Sequence, residues 1–267
     1  MVISKQKENS RKHCKNCFNN KSFYHIFQPF YPIFISQNIR RDSLLAFFTQ
    51  NPGKRHNEIL KLIAIITMLI DHVGLIFFPE STLMRILGRI AFPIFAFHIA
   101  KGYVHTSSKL NYISRLLTFA AISQIPYMLL LQTYNLNILF TLLLSIILIS
   151  CIHYKKWHWI ILIVIIVIIP KHLQIPSFEY TWYGLIMPVI FYLFANSKKK
   201  IVIYQTILTI MFVLLESEAS IQLFALIGVL LCLYFPVNQF KIYLNKYFFY
   251  WFYPAHLTIL FLFFLIF

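Results

Sequence analysis

Acidic residues are scarce in this chain. Eight Asp and Glu stand against 24 Lys and Arg in 267 residues. Charged residues make up 12% of the chain and hydrophobic residues 59%, whereas a soluble domain carries roughly 25% charged residues. A chain with so little charge has no room for a separate soluble domain. The composition therefore predicts a polytopic membrane protein.

The formal net charge of +16 does not indicate a nucleic-acid-binding protein. Basic residues lie in short segments between apolar runs, which is the arrangement that the positive-inside rule describes for membrane proteins. We therefore expect the lipid bilayer as a partner of this chain, and no nucleic acid. The predicted location is the plasma or inner membrane, with the chain crossing it several times.

Glycine and cysteine are also scarce, with six and four residues. No glycine-rich phosphate loop of either common type occurs, so ATPase and dinucleotide-binding functions have no motif. Cys14 and Cys17 lack a second ligand pair at zinc spacing. Cys151 and Cys232 fall in apolar runs, so no disulfide framework is indicated. We expect no metal cofactor.

The apolar runs predict an all-α fold with about nine transmembrane helices. These runs lie at 59–78, 83–104, 112–131, 137–153, 157–170, 181–196, 201–216, 220–235 and 248–267. Basic residues are concentrated in the even-numbered loops between the runs, and the odd-numbered loops hold few. The bias predicts that the N-terminus is inside and the C-terminus outside.

Residues 1–57 differ from the rest of the chain. They hold ten of the 24 Lys and Arg, and their aromatic run at 23–35 is interrupted by two prolines and is too short to span a bilayer. The run also lacks the uninterrupted apolar core of a signal peptide. We interpret 1–57 as a basic, largely irregular cytoplasmic extension, followed by a membrane domain at 58–267.

Ionisable residues at membrane depth are costly and usually functional. Asp71 is the acid that lies well inside a predicted span, with His72 directly after it and Arg89 inside the next span. A carboxylate beside an imidazole is the usual arrangement of a general base. A structural ion pair of Asp71 with Arg89 or Arg85 explains the same residues equally well. The spacing alone leaves both interpretations open.

Other polar residues accompany prolines inside the predicted spans. Pro93 leaves the carbonyl of Arg89 without its helical donor and favours a kink there. His256 follows Pro254 at membrane depth and is a further candidate site residue. Gln124 is expected to join helices through polar contacts. Glu179, just before the sixth run, is read as a loop carboxylate.

Segments spread along the chain resemble the TraX family from about residue 58 to 267. These are KLIA at 61–64, MLIDHVG at 68–74, GRIAFPIFAF at 88–97 with Gly102, RL at 115–116, FA at 119–120, SQIP at 123–126, NILFTL at 137–142, WYG at 182–184 and FYWFYPAHL at 249–257. The family tends to Asp-Tyr where this chain has Glu179-Tyr180. Residues 1–57 have no counterpart in it.

The resemblance implies an integral membrane acyltransferase that moves an acetyl group from acetyl-CoA to an amine or hydroxyl. The acceptor in the family's named case is the N-terminal amine of conjugative pilin, and a surface protein, glycan or lipid fits the wider class. It implies His72 as the general base, oriented by Asp71. The implied pocket residues are Arg89, Arg85, Gln124, Glu179, Tyr180 and His256, and the implied ligands of the CoA phosphates are Lys101, Lys109 and Arg115.

Two functions from other classes use similar residues. A transporter of small solutes or ions also needs intramembrane Asp, His and Arg side chains, and it is distinguished by solute flux without acyl transfer. A non-enzymatic membrane assembly factor is distinguished by tolerance of Asp71→Asn and His72→Ala.

Overall fold

A computed structural model describes residues 44–45, 47–48, 54–173, 175–216, 220–235 and 246–266. These residues are almost entirely α-helical. They contain no β-strand, and an isolated parallel bridge joins Leu136 to Phe178. The predicted all-α fold is confirmed.

From residue 54 onward, the described residues form ten α-helices and one 3-10 turn. In chain order they are α1 (Lys54–Phe77), α2 (Thr82–Gly88), α3 (Ala91–His105), α4 (Lys109–Leu131), α5 (Ile138–His153), α6 (Trp157–His172), α7 (Thr181–Leu193), α8 (Lys198–Leu215), the 3-10 turn (Ser220–Phe224), α9 (Ala225–Tyr234) and α10 (Lys246–Ile266). Each apolar run predicted to span the membrane corresponds to one or two of these elements.

Four helical segments among the described residues are long and apolar enough to cross a membrane. They are Glu58–Phe77, Thr82–His105, Lys109–Leu131 and Phe248–Ile266. Shorter apolar helices lie at Ile138–His153, Trp157–Lys171, Thr181–Leu193 and Ser220–Tyr234. A helix shorter than about twenty residues spans a bilayer only if the bilayer thins or flanking residues reach the interface. The count of nine spans and the orientation stay predictions.

The second apolar segment is broken in its middle. α2 ends at Gly88 and α3 begins at Ala91, and the two residues between them form a turn. Pro93 has no N–H, so it cannot donate to the carbonyl of Arg89 one turn earlier. The predicted kink at Arg89 is present as this break, and Arg89 lies at the junction of two helices.

α3 lies at the centre of the packing and contacts α1, α5, α7 and α9, while α4 packs along α10. α9 approaches the break before α3 very closely. A Cβ at Gly228 of α9 would lie 2.5 Å from the carbonyl oxygen of Ile90. Glycine at 228 therefore allows α9 to lie against the backbone of the turn.

Most of the predicted extension 1–57 lies outside the described residues. α1 begins at Lys54, a few residues before the predicted boundary. Leu44 and Phe48, which are described, are buried, and the ring of Phe48 lies 5.6 Å from that of Phe97 in α3. The C-terminal part of the predicted extension thus contributes apolar side chains to the helical core.

Substitution of Phe48 by alanine tests this contribution. Phe48 is fully buried, and removal of a buried phenylalanine side chain costs about 3–5 kcal/mol of unfolding free energy. We expect Phe48→Ala to lower the melting temperature of the detergent-solubilised protein. The control is Phe47→Ala, because Phe47 is only partly buried. Equal melting temperatures for the two variants would contradict the assignment.

Candidate functional site

The Asp71 carboxylate is the centre of a partly buried ion cluster. Its two oxygens accept hydrogen bonds from Nη2 of Arg89 at 2.8 and 2.7 Å. One oxygen also accepts from Nη1 of Arg85 at 2.7 Å. Asp71 lies on α1, while the two arginines lie on α2 and in the turn after it. The ion pair that the sequence left as one of two interpretations is therefore formed, with both arginines.

Close approach of α1 and α2 makes the cluster possible. A Cβ at Gly88 would lie 2.2 Å from Oδ1 and 2.3 Å from Cβ of Asp71. Glycine at this position lets the backbone of α2 touch the carboxylate directly. Arg85 and Arg89, a little before and directly after Gly88, then reach the carboxylate together.

Arg89 has hydrogen-bond partners in the protein at all three of its side-chain nitrogens. Besides Asp71, its Nε donates to the carbonyl of Arg85 at 3.2 Å and its Nη1 to the hydroxyl of Tyr180 at 2.8 Å. Nη1 also lies 3.5 Å from Oε1 of Gln222 in the 3-10 turn. The implied role of Arg89 as a pocket residue stays a prediction, and in this structure its donors already serve the protein.

Glu179 is held in the loop before α7, and it is not a solvated loop carboxylate as the sequence suggested. Its N–H donates to the carbonyl of Leu136 at 3.0 Å, and its carbonyl accepts from the Thr141 hydroxyl at 2.7 Å. The carboxyl group interacts with the Tyr127 hydroxyl and the Ile138 N–H. Its Oε2 is buried and has no hydrogen-bond partner among the described residues.

The pKa of Glu179 is raised to about 7. Burial is the main cause, because it disfavours the charged form, and the positive charge of Arg89 opposes it. A carboxyl group with a pKa near 7 exchanges its proton in the physiological range, so Glu179 is suited to hold or release a proton.

Gln124 binds the loop that follows its own helix. Its Nε2 donates to the carbonyl of Asn135 at 2.8 Å, and its Oε1 accepts from the backbone and side-chain nitrogens of Asn137 at 3.0 and 2.9 Å. These bonds fix the loop between α4 and α5. These contacts agree with the expected role of Gln124 in joining helices, and its pocket role stays a prediction.

His72 is paired with His256 and not with Asp71. Nδ1 of His72 lies 2.8 Å from Nε2 of His256, and Nδ1 of His256 lies 2.7 Å from the carbonyl oxygen of Phe252. Both rings are buried. The expected Asp71–His72 dyad is not formed, because the carboxylate faces the arginines of the cluster. The structure instead brings together two histidines from α1 and α10, which are far apart in sequence.

A cavity of about 550 Å³ extends between α1, α3, α4, α5 and α10. One end is lined by Lys61 near the start of α1, Lys101 near the end of α3 and Arg115 near the start of α4. The other end is lined by the apolar and aromatic side chains of Met68, Phe92, Ile138, Leu139, Leu142 and Tyr253. Along α3 the lining runs from Phe92 to Thr106, about 20 Å at 1.5 Å per residue.

The deep end of the cavity lies beside the histidine pair. Met68 is one turn before His72 on α1, and Tyr253 is just under one turn before His256 on α10, so each pair shares a helix face. The rings of Tyr253 and His256 lie 5.6 Å apart. The two imidazoles themselves are not among the residues that line the cavity, and each belongs to the helical turn after a residue that does.

The basic end of the cavity contains two of the three residues predicted to bind the CoA phosphates. Lys101 and Arg115 line the cavity, but Lys109 does not, and its ammonium group donates to the carbonyls of Tyr103 and Thr106 at the end of α3. Lys61 takes its place. Sequence reasoning missed Lys61, although its position in the first turns of α1 puts it at the same end of the bundle as Lys101.

Arg115 is the cation of this end with an unused donor. Its Nε is buried and has no hydrogen-bond partner among the residues that the structure describes. Its guanidinium lies 6.0 Å from the ring centres of both Tyr112 and Tyr250. An arginine held between two aromatic rings is positioned to bind an anion such as a phosphate.

The described residues include no group of three or more His, Cys, Asp or Glu placed to hold a metal ion. Cys14 and Cys17 lie outside the described part of the chain.

Substitution of Gly88 by alanine tests the contact that forms the ion cluster. The new methyl group overlaps Asp71 at its Cβ, which cannot move without α1. We expect a loss of about 1–3 kcal/mol of stability, as for overpacking. Gly102→Ala is the control, because its methyl group meets first the hydroxyl end of Tyr112 at 2.6 Å. A larger melting-temperature loss for Gly102→Ala than for Gly88→Ala would be inconsistent with the proposed role of the contact.

The raised pKa of Glu179 predicts a pH dependence of stability. Between the ordinary carboxyl pKa of 4.5 and about 7, the unfolded chain loses its proton while the folded protein keeps it. The contribution of this group is therefore fully present below 4.5 and is lost as the pH rises through 7. Unfolding of wild type and Glu179→Gln, measured from pH 4 to 8 in the same detergent, should show a shallower decline for the variant. Parallel curves would mean that Glu179 titrates normally.

Comparison with known proteins gives a family match and several partial relatives. The chain matches the TraX protein family over residues 56–264. An uncharacterized protein of Rickettsia prowazekii (strain Madrid E) is 35% identical over 91 residues, which are 34% of this chain and 35% of the relative. No solved structure matches the chain.

Two further relatives carry descriptive names. The "Probable fimbrial assembly protein FimC, serogroup H1" of Dichelobacter nodosus is 36% identical over 69 residues, or 24% of this chain and 28% of the relative. Protein TraX of Escherichia coli is 35% identical over 111 residues, or 38% of this chain and 44% of the relative. The chain thus spans less than half the length of each relative it matches.

The family match extends from the first turn of α1 to the last turn of α10. It takes in the ion cluster, the histidine pair and all the residues that line the cavity. Four of the matched segments are long and apolar enough to cross a membrane. The chain is therefore a membrane protein that belongs to the TraX family.

Proposed function

We propose that this protein is a membrane acyltransferase that moves an acetyl group from acetyl-CoA to an amine or hydroxyl of an acceptor. The observation that carries the proposal is the shape and charge of the cavity. It has basic side chains at one end and apolar ones at the other, where Met68 and Tyr253 line it about one helical turn before the buried histidines His72 and His256. A long donor with charged phosphates and a reactive thioester has the same order of chemical groups.

The basic end is assigned to the CoA phosphates. Lys61, Lys101 and Arg115 lie there with the carboxylate of Glu58, which pairs with Lys61 at 3.0 Å, so the lining keeps an excess of positive charge. A hydrogen bond to a charged group contributes about 1.5–3 kcal/mol. The rings of Phe249 and Tyr250 provide an aromatic surface for the adenine base. The narrow apolar part of the cavity then takes the pantetheine arm and directs the thioester toward His72 and His256.

His72 is assigned as the general base. Its imidazole removes a proton from the acceptor amine or hydroxyl as that group attacks the thioester carbonyl. The carbon–sulfur bond then breaks, and the proton held on His72 passes to the departing sulfur, which leaves as CoA thiol. The products are the acetylated acceptor and free CoA, and the imidazole returns to its starting state.

The acceptor is assigned to the end of the bundle that carries the ion cluster. Glu179, Tyr180 and the 3-10 turn lie there, opposite the basic end of the cavity. If the loop charges orient the chain as predicted, the donor enters from the cytoplasm and the acceptor from the outer face. An acceptor at the cell surface also agrees with the fimbrial assembly named for the Dichelobacter nodosus relative.

A non-enzymatic role in pilus or fimbrial assembly is the second candidate. The name of the Dichelobacter nodosus relative favours it, and a partly buried ion cluster that holds helices together needs no chemistry. This candidate predicts that variants of His72 that fold normally keep full assembly function.

His72→Asn tests the assignment of the base. The asparagine amide replaces Nδ1 and keeps a donor for His256, but it provides no counterpart of Nε2. A general base contributes about 10²- to 10⁴-fold, so transfer of labelled acetyl from acetyl-CoA to membrane acceptors should fall at least about a hundredfold. The melting temperature should stay close to that of wild type.

Retention of CoA binding serves as the control for that experiment. Stabilisation of the His72→Asn protein by added CoA should equal that of wild type, because the phosphates bind at the other end of the cavity. Wild-type transfer rates in the variant would end the catalytic assignment and leave the assembly role.

Neutralisation of the basic end tests the donor site. We expect Lys61→Gln, Lys101→Gln and Arg115→Gln each to raise the KM for acetyl-CoA by about tenfold or more, from the loss of about 1.5–3 kcal/mol per charged hydrogen bond. The matched control is Lys109→Gln, since Lys109 lies in the same region but off the cavity. An equal rise in KM for Lys109→Gln would show that only general surface charge matters.

A further inference from the structure

We infer that His256 is a positioning residue that fixes the proton of His72 on Nδ1 and leaves Nε2 of His72 as its basic nitrogen. The inference rests on the proposed function, because it specifies how the base of that reaction is prepared. In this arrangement His256 takes the orienting role that was expected of the Asp71 carboxylate.

The backbone carbonyl of Phe252 sets the direction of two hydrogen bonds, the one between Phe252 and His256 and the one between His256 and His72. The carbonyl oxygen of Phe252 only accepts, so Nδ1 of His256, 2.7 Å away, carries a hydrogen. Nε2 of a neutral His256 is then an acceptor. Nδ1 of His72, 2.8 Å from it, must donate. The lone pair of His72 is therefore on Nε2.

The surroundings hold His256 in this orientation. The Phe252 ring stacks on it with centres 4.8 Å apart and an angle of 10° between the planes. The imidazole of His72 meets the edge of His256, with ring centres 5.0 Å apart and planes at 17°, as a hydrogen bond between ring nitrogens requires. His256 is only 4% exposed, so water does not compete for its ring nitrogens. The carbonyl, His256 and His72 form one fixed sequence of donors and acceptors.

The arrangement also explains why no carboxylate is needed beside His72. In many enzymes a carboxylate selects the tautomer of a catalytic histidine. Here the nearby carboxylate of Asp71 is taken by Arg85 and Arg89. A backbone carbonyl acting through a neutral imidazole selects the same tautomer and adds no further charge at membrane depth, where charge is costly.

Two substitutions of His256 separate positioning from packing. In His256→Gln the terminal amide reaches the former place of Nε2 and presents an oxygen that accepts from His72. In His256→Asn the amide reaches only the place of Nδ1, so Nδ1 of His72 has no acceptor. We expect kcat for acetyl transfer to stay within about tenfold of wild type for the Gln variant. For the Asn variant it should fall at least about tenfold further, because general-base catalysis contributes about 10²- to 10⁴-fold.

The KM for acetyl-CoA is expected to be unchanged in both variants, since the phosphates bind at the basic end. A loss caused by poor folding would instead lower the melting temperature of both and reduce stabilisation by CoA. Suppose that the wild-type protein transfers acetyl groups and that the Asn variant is as active as the Gln variant. The inference about His256 is then wrong, and the proposed function stands.

A readout that does not depend on activity completes the test. In protein labelled with ¹⁵N-histidine, the signals of His72 are those that disappear in His72→Asn. We expect them to report a hydrogen on Nδ1 in wild type and in His256→Gln, and a mixture of tautomers in His256→Asn. A hydrogen on Nε2 of His72 in wild type overturns the inference. The expected tautomer in a protein without acetyl transfer overturns the proposed function but confirms the orientation of the pair.

Discussion

The binding of the Asp71 carboxylate by two arginines is the interaction on which the site depends. A lone charge at membrane depth is too costly to persist, so the carboxylate requires cations at contact distance. Arg85 and Arg89 reach it only because Gly88 lets α2 touch α1. Arg89 in turn binds Tyr180 before α7 and approaches the 3-10 turn before α9. One partly buried carboxylate thereby connects four parts of the chain.

Because Arg85 and Arg89 bind the Asp71 carboxylate, this carboxylate is not the hydrogen-bond partner of His72. Since the carboxylate is occupied, His72 must find its partner elsewhere, and His256 on α10 provides it. The ion cluster and the histidine pair are therefore two separate polar systems on adjacent residues of α1. The first joins α1 to α2 and to the turn after it, and the second joins α1 to α10.

Sequence reasoning succeeded where a residue's own surroundings decide its role. It located the helices from apolar run length and the break at Arg89 from Pro93. It did not identify the partners of several polar side chains, even where the partner is nearby. The structure pairs Gln124 with the loop after its own helix and Lys109 with the end of α3. No periodicity along the chain distinguishes such contacts from contacts with a ligand.

The sequence by itself determined an all-helical membrane protein, because apolar run length and the cost of buried charge are local properties, and its motifs carried the resemblance to the TraX family. The tertiary structure decided which groups meet. His72 and His256 are 184 positions apart, and Lys61, Lys101 and Arg115 come from three helices. Likewise, Glu179 lies in a loop by sequence, yet packing against α4 and α5 buries it and raises its pKa. Helix packing sets these distances and this burial, and a linear pattern of residues does not contain them.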